Sequence, residues 1–373
     1  MFWDEFQGLP AKEGMFGSER WQGPADFRKL SQMAGWPKFR GVVWSLMHRY
    51  TPEQIIPVDE LIKERQYIES FGLRAAVFES LPIPISIQIN LPDRDRHIEI
   101  FKQNLKNLAA AGIGIVTINF MGQPDWCRDP EFGTLPGERE FVKFTPSIFR
   151  KLDHFQGFAL PGATLSSQGD DLRRLFDRKL ELGKEGLLKE VERFLSEIAP
   201  LANELKVKLA IHPDDPGPEI TIDDLEKGKT YVIPGVMCEK ESFDRAVETG
   251  KKFGDSNPVG LCFCVGSLGT NPGNTDIPGL ATHFMKQVFF CHFRDVNIEA
   301  DGSFRELPHE AEGRGNLKEV VRRFVDAEWK GPWRSDHGLR YFGEEGLKGY
   351  WPLGGLVSQT VVQSWIDAFN HLK

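Results

Sequence analysis

The sequence has little that would staple it, anchor it or bind it to a polyanion. Its five cysteines, Cys127, Cys238, Cys262, Cys264 and Cys291, are odd in number and lack regular spacing. That excludes a disulfide framework and points to reduced thiols. No basic cluster is long enough to track a phosphate backbone, and 54 acidic residues against 46 Lys and Arg leave a net charge of −8. Nucleic acid is therefore excluded as the main partner. The opening "MFWDEFQGLPAKEG" has no basic segment leading into an apolar run. Neither a secretory leader nor a membrane anchor is expected, and the cytoplasm is the expected compartment. The glycine-rich fingerprint of a dinucleotide fold is missing, as are internal repeats, low-complexity tracts and heptad runs.

What is present suits a large core: 40% of residues are hydrophobic, with 28 phenylalanines. Short β-branched runs alternate with amphipathic stretches, the pattern of parallel strands each followed by a crossover helix. Strands are expected at 41–46, 74–80, 113–120, 207–213, 258–266, 287–296 and 331–338. "GMFGSERWQG" (14–23) makes the eighth, and "VVQSWIDAFNHL" the closing helix. Eight such units predict an α/β fold of the (β/α)8 TIM barrel type, one domain over residues 1–373. Two segments exceed ordinary loops, 121–175 and 214–236. They are expected to be insertions serving a site at the C-terminal face.

Several strand ends carry residues that bind metals. "LAIHPDDP" ends on His212, the next strand on Cys264, the next on His292 and the last on Asp336. Neighbouring barrel strands set such residues side by side at the C-terminal mouth. Two imidazoles, a thiolate and a carboxylate suit Mn2+, Fe2+, Co2+ or Zn2+ better than Ca2+. Each alone has an ordinary alternative as a core histidine or a small packing residue; their coincidence on one rim carries the expectation. Cys262 faces the same way by alternation, and Cys264 is preferred as nearer the rim.

His337, beside Asp336, is a candidate general acid or base, or else a hydrogen-bonding support for the metal. Arg294 and Arg334 can clamp an anionic substrate or make structural ion pairs. Glu79 and Asn119, at strand ends, can bind substrate hydroxyls, and His309 with Glu310 can form a loop-borne pair or lie in solvent.

In order along the chain, "GVVWSL", "VFESLPI", "LKNLAAAGI", "INFMGQPDWCRD", "LAIHPDDP", "CVGS", "HFRD", "HEAEGRGN" and "SDHG" resemble the mannonate dehydratases of the UxuA type, enzymes of hexuronate breakdown. The resemblance runs from "ERWQGPAD" to "GYWPLGGL". It implies a barrel enzyme that removes water from D-mannonate, giving 2-keto-3-deoxy-D-gluconate, with Mn2+ as the usual metal. It puts the metal ligands on His212, Cys264, His292 and Asp336, and the catalytic histidine on His337. The catalytic tyrosine falls on Tyr350 in "KGYWPLGG", with Tyr341 as the lesser candidate. The chain departs from the family pattern at "LPIPISIQ", where the family tends to carry a His-Glu pair, and at Gly355, where it often has an arginine. The loop "MHRYTPEQIIP" differs in length, with His48 retained. A metal-dependent sugar or sugar-acid isomerase or epimerase is the alternative activity, and a sugar-acid-binding barrel without catalysis is a third. The aromatic "MFWDEF" hints at a homo-oligomer, in which neighbours cover exposed rings.

Overall fold

Eight short, near-continuous apolar runs, buried on both faces, decide the architecture. The computed structural model describes residues 14–120, 126–155, 169–254 and 256–372. Its parallel strands are β1 (Met15–Arg20), β2 (Phe39–Trp44), β3 (Arg74–Phe78), β4 (Ile115–Ile118), β5 (Lys208–Ile211), β6 (Val259–Cys264), β7 (Val288–His292) and β8 (Gly331–Arg334). Each pairs with its neighbours in sequence, and β1 pairs with β8 to close the barrel. The expected fold class is what the structure shows.

The helices that return the chain are α1 (Leu30–Met33), α2 (Val58–Glu69), α3 (Arg94–Ala110), α4 (Asp170–Glu204), α5 (Lys240–Lys251), α6 (Ile277–Phe284), α7 (Leu317–Asp326) and α8 (Pro352–His371). α7 shows why they pack as they do. Its buried residues Leu317, Val320, Val321, Phe324 and Val325 recur at helical spacing and form one apolar stripe. Phe324 meets the rings of Phe263 on β6 and Phe293 just past β7. Because strand side chains alternate, turning Phe263 and Phe293 outward onto α7 turns Cys262, Cys264 and His292 inward. Replacing Phe324 by Ala would remove this outer contact at a cost of about 3–5 kcal/mol.

Phe16, Val43, Ala76, Val77, Ile115, Ala210, Cys262 and Phe290 fill the barrel interior as an apolar plug. The plug leaves only the strands' C-terminal ends for polar chemistry. The excursions after β4 and β5 hold more structure than the loops expected there. Short strands at Gly133–Leu135, Arg139–Phe141 and Lys143–Phe144 pair beyond the barrel, and Glu219–Asp224 forms a hairpin with Lys229–Pro234. Runs of two or three residues are too short to show a period. Within the first excursion, 121–125 and 156–168 lie outside the described residues, as does "MFWDEF", and its last residues belong to α4. No described helix is long and apolar enough to cross a membrane.

Candidate metal centre and active site

Strand register sets the centre. Cys264 on β6 lies level with His292 on β7, which in turn lies level with Arg334 on β8. His212 follows β5, held by its N–H on the carbonyl of Ile118 at 3.0 Å. Ligand atoms of His212, Cys264 and His292 all come within 4.8 Å of one another.

The hydrogen bonds around these imidazoles aim their lone pairs. His212 Nδ1 lies 2.7 Å from the carbonyl of Pro213, which can only accept, so Nδ1 carries the proton. His292 Nε2 lies 3.1 Å from Glu79 Oε1, within ion-pair distance, and 3.3 Å from Cys262 Sγ. His212 Nε2 and His292 Nδ1 approach to 3.3 Å, and although burial and Arg334 oppose it, Cys262 and Asp336 hold the His292 imidazole well above its usual range. With its Nδ1 proton on the Pro213 carbonyl, His212 can turn the Nε2 lone pair to this point, and a carboxylate beside a ligating histidine is a common support of metal sites. Although burial opposes its ionisation, Arg294 and both imidazoles hold the Cys264 thiol well below its usual range. A thiolate with two imidazoles is a donor set that fits a divalent transition metal.

Asp336, expected as a fourth ligand, adjoins this group: its Oδ2 is 3.5 Å from His292 Nδ1 and 3.8 Å from Cys264 Sγ. Its backbone is left-handed, with φ 65°, a conformation Asp tolerates better than most residues. Burial opposes its charge, but Arg334 above all, with His337 and His292, holds the carboxyl well below its ordinary value. Arg294 Nε and Arg334 Nη2 each lie 2.6 Å from Asp336. Arg294 also pairs with Asp215, and Arg334 lies 3.2 Å from Glu79. Both arginines thus sit in a buried ion-pair network, the structural alternative to a substrate clamp, while still lining the cavity.

That cavity, of roughly 400 Å3, opens beside the metal group and is within the range of small-molecule sites. Glu79, Asn119, His212, His292, Asp336, His337 and Tyr350 all reach its wall, and Tyr341 and His48 do not. His309 is also absent from the wall. It is buried under the rim with Nε2 2.8 Å from the Ser335 carbonyl, and burial lowers its pKa. Glu310, its neighbour, is exposed 3.7 Å from Arg139.

His337 and Tyr350 meet at the cavity, with Nε2 and Oη 3.2 Å apart. Gly349 makes this approach possible: its φ is +80°, and a Cβ there would lie 3.1 Å from the His337 ring. Burial pushes the Tyr350 phenol up to about 12, against the pull of Arg334, so it stays protonated at neutral pH. Behind His337 stand Glu306, whose oxygens lie 2.9 and 3.1 Å from Nδ1, and the indole N–H of Trp126 at 3.1 Å. Lys179 of α4 adds a buried amine to the cavity wall, its pKa lowered by burial to about 8. Sequence reasoning missed Glu306, Trp126 and Lys179. The only local signal was Lys179's place on the apolar stripe of α4, after Leu172, Leu175 and Phe176.

The sequence and the fold have known counterparts. The family of D-mannonate dehydratase (UxuA) matches residues 15–373. The chain belongs to the mannonate dehydratase family. It is 33% identical to a mannonate dehydratase of Thermotoga petrophila over 95% of this chain and 98% of that protein. It is 31% identical to mannonate dehydratase 2 of Halalkalibacterium halodurans over 89% and 92%. The crystal structure of a mannonate dehydratase from Streptococcus suis serotype 2 superposes with a TM-score of 0.82 at 28% identity, covering 96% of this chain and 95% of that one. A D-psicose 3-epimerase at 13% identity and a TM-score of 0.50 shares the fold alone.

Against the mannonate dehydratase pattern, the departures have definite places. Leu81, Pro82, Ile83, Ile85 and Gln88 of "LPIPISIQ" line the cavity. Gly355 packs towards Trp36 and Arg28, and the Arg28 guanidinium lies 5.0 Å from the centre of the Tyr350 ring.

Proposed function

We propose that this hydro-lyase acts on D-mannonate, giving 2-keto-3-deoxy-D-gluconate and water, with Mn2+ held by His212, Cys264 and His292 and completed by Asp336. The observation that carries the reading is the His337–Tyr350 pair, 3.2 Å apart at the wall of the cavity that the metal group also lines. When bound, the ion supplies Lewis acidity toward the substrate carboxylate and a neighbouring hydroxyl.

The rest is the work of side chains. His337 Nε2 takes the proton from C2 as general base, and the electron pair left behind forms the C2–C3 double bond. The C3–O bond breaks, and the departing hydroxyl takes the phenolic proton of Tyr350 and leaves as water. The enol so formed tautomerises to the 2-keto acid, and the proton on His337 returns to Tyr350 across their hydrogen bond. Arg294 and Arg334 maintain positive potential at the wall where the substrate carboxylate would lie. Glu79 orients His292, and Asn119 is available to a substrate hydroxyl.

We read the chain as one barrel domain whose excursions after β4 and β5 serve this site, a reading supported by Trp126 and Asp215 at the cavity wall. Five free, buried cysteines support a cytoplasmic setting. The test is incubation of metal-stripped protein with D-mannonate, with and without Mn2+, following appearance of the α-keto acid. Metal-dependent product is expected; no product from metal-loaded protein would overturn the substrate assignment.

A further inference from the structure

We infer that Glu306 is the positioning residue of this site, fixing which nitrogen of His337 carries the proton and so leaving Nε2 free to face the substrate as a base. The inference rests on the reading of His337 as base. Glu306 ends the short strand Phe304–Glu306 in the connection from β7 to β8, and is 4% exposed. It has no place in the metal group, and does not line the cavity. Its two oxygens bracket His337 Nδ1 at 2.9 and 3.1 Å, and Arg128 Nε holds Oε1 from the other side at 3.0 Å. Burial would raise the Glu306 carboxyl, but His337, Arg128 and Arg294 together bring it down to about 2. An ionised carboxylate only accepts, so Nδ1 must carry a proton; in the neutral imidazole that a base requires, the lone pair is then on Nε2, which faces Tyr350 at 3.2 Å and Asp336 Oδ1 at 3.5 Å.

Trp126 gives this arrangement its point. Its indole N–H also aims at Nδ1, from 3.1 Å, and can only donate. Nδ1 therefore lies between an acceptor that demands the proton and a donor that demands the lone pair. With Glu306 in place the charge-assisted bond is the stronger. Without it the indole claims the Nδ1 lone pair, the proton moves to Nε2, and His337 can no longer accept from C2.

The experiment reads the tautomer directly. Ring-nitrogen NMR of histidine-labelled, Zn2+-loaded full-length protein, with the signal assigned by H337N, should show the proton on Nδ1 in the wild type. It should show it on Nε2 in Glu306→Ala and back on Nδ1 in the double variant with Trp126→Phe. In parallel, Glu306→Ala should lower kcat by about 10²–10⁴-fold with KM and bound metal little changed. Trp126→Phe should restore at least about tenfold of that loss. In an H337N background the Glu306 change should cost less than about threefold more. An unchanged tautomer, or equal losses with and without His337, would overturn the inference. If the alanine variant does not fold, Glu306→Leu combined with Arg128→Met takes its place in the same measurements. A wild type with the expected tautomer but no keto acid would refute the proposed reaction and leave the positioning role standing.

Discussion

Cys262 and Cys264 lie on one strand with their side chains facing the same way, yet they belong to different regions of the barrel. Cys262 packs with Phe16, Val77 and Phe290 in the apolar plug, and burial pushes its thiol up to about 11 despite the nearby His292. Cys264 is equally buried, but Arg294 and two imidazoles hold its thiol well below the usual range. Two residues of strand, about 6.6 Å of rise, separate a packing thiol, which reaches the metal group only through His292 Nε2 at 3.3 Å, from a candidate metal donor. The candidate metal donors of this barrel are confined to the last strand residue and the one or two that follow.

The contrast breaks most severely at the mouth. His212→Ala or Cys264→Ser should abolish bound metal and lower activity by more than about 10³-fold, measured by metal analysis beside the keto-acid assay. Full metal retention in either variant would remove that residue from the ligand set. Next is His337→Asn, expected to keep its metal while kcat falls by about 10²–10⁴-fold. An undiminished rate would end its role as base.

Lys179 sharpens the comparison through stability. Its folded pKa is about 8 against an ordinary 10.5, so between those values the unfolded chain holds a proton that the folded chain has released. Stability from this group therefore rises with pH across that window, and below it the buried ammonium is a cost. Lys179→Met should stabilise the protein at pH 7 by on the order of 3 kcal/mol. In urea titrations from pH 7 to 11 it should also flatten the rise, and parallel curves for the two proteins would discard the assignment. The smallest effect belongs to the plug. Cys262→Ala should cost about 1 kcal/mol in denaturant midpoint and leave metal content unchanged. Loss of metal there would move the boundary between the regions one layer deeper.

The barrel was legible because short apolar runs, buried on both faces, are separated by amphipathic stretches with an apolar stripe such as that of α7. His212, Cys264 and His292 were legible for the same reason: each ends such a strand. Glu306 was not, since it sits in a three-residue strand and its partner His337 is 31 residues on. Trp126 sits outside any strand or helix, and its link to His337 spans 211 residues. His309 looked like a loop residue open to substrate. Its burial under Ser335 depends on the rim's tertiary course, which no local pattern records.

The seam between β1 and β8 bears on how the enzyme is made. Glu19 accepts from the backbone N–H of Ser335 at 2.8 Å, and Ser18 Oγ donates to the Trp333 carbonyl at 2.8 Å, across 316 and 315 positions of chain. During synthesis the first strand must wait, with one edge unpaired, for β8 to emerge. His212, Cys264 and His292 can be translated long before Asp336 is fixed beside them. A centre that includes Asp336 is therefore complete only once the β1–β8 seam has closed, whatever the other three donors do earlier.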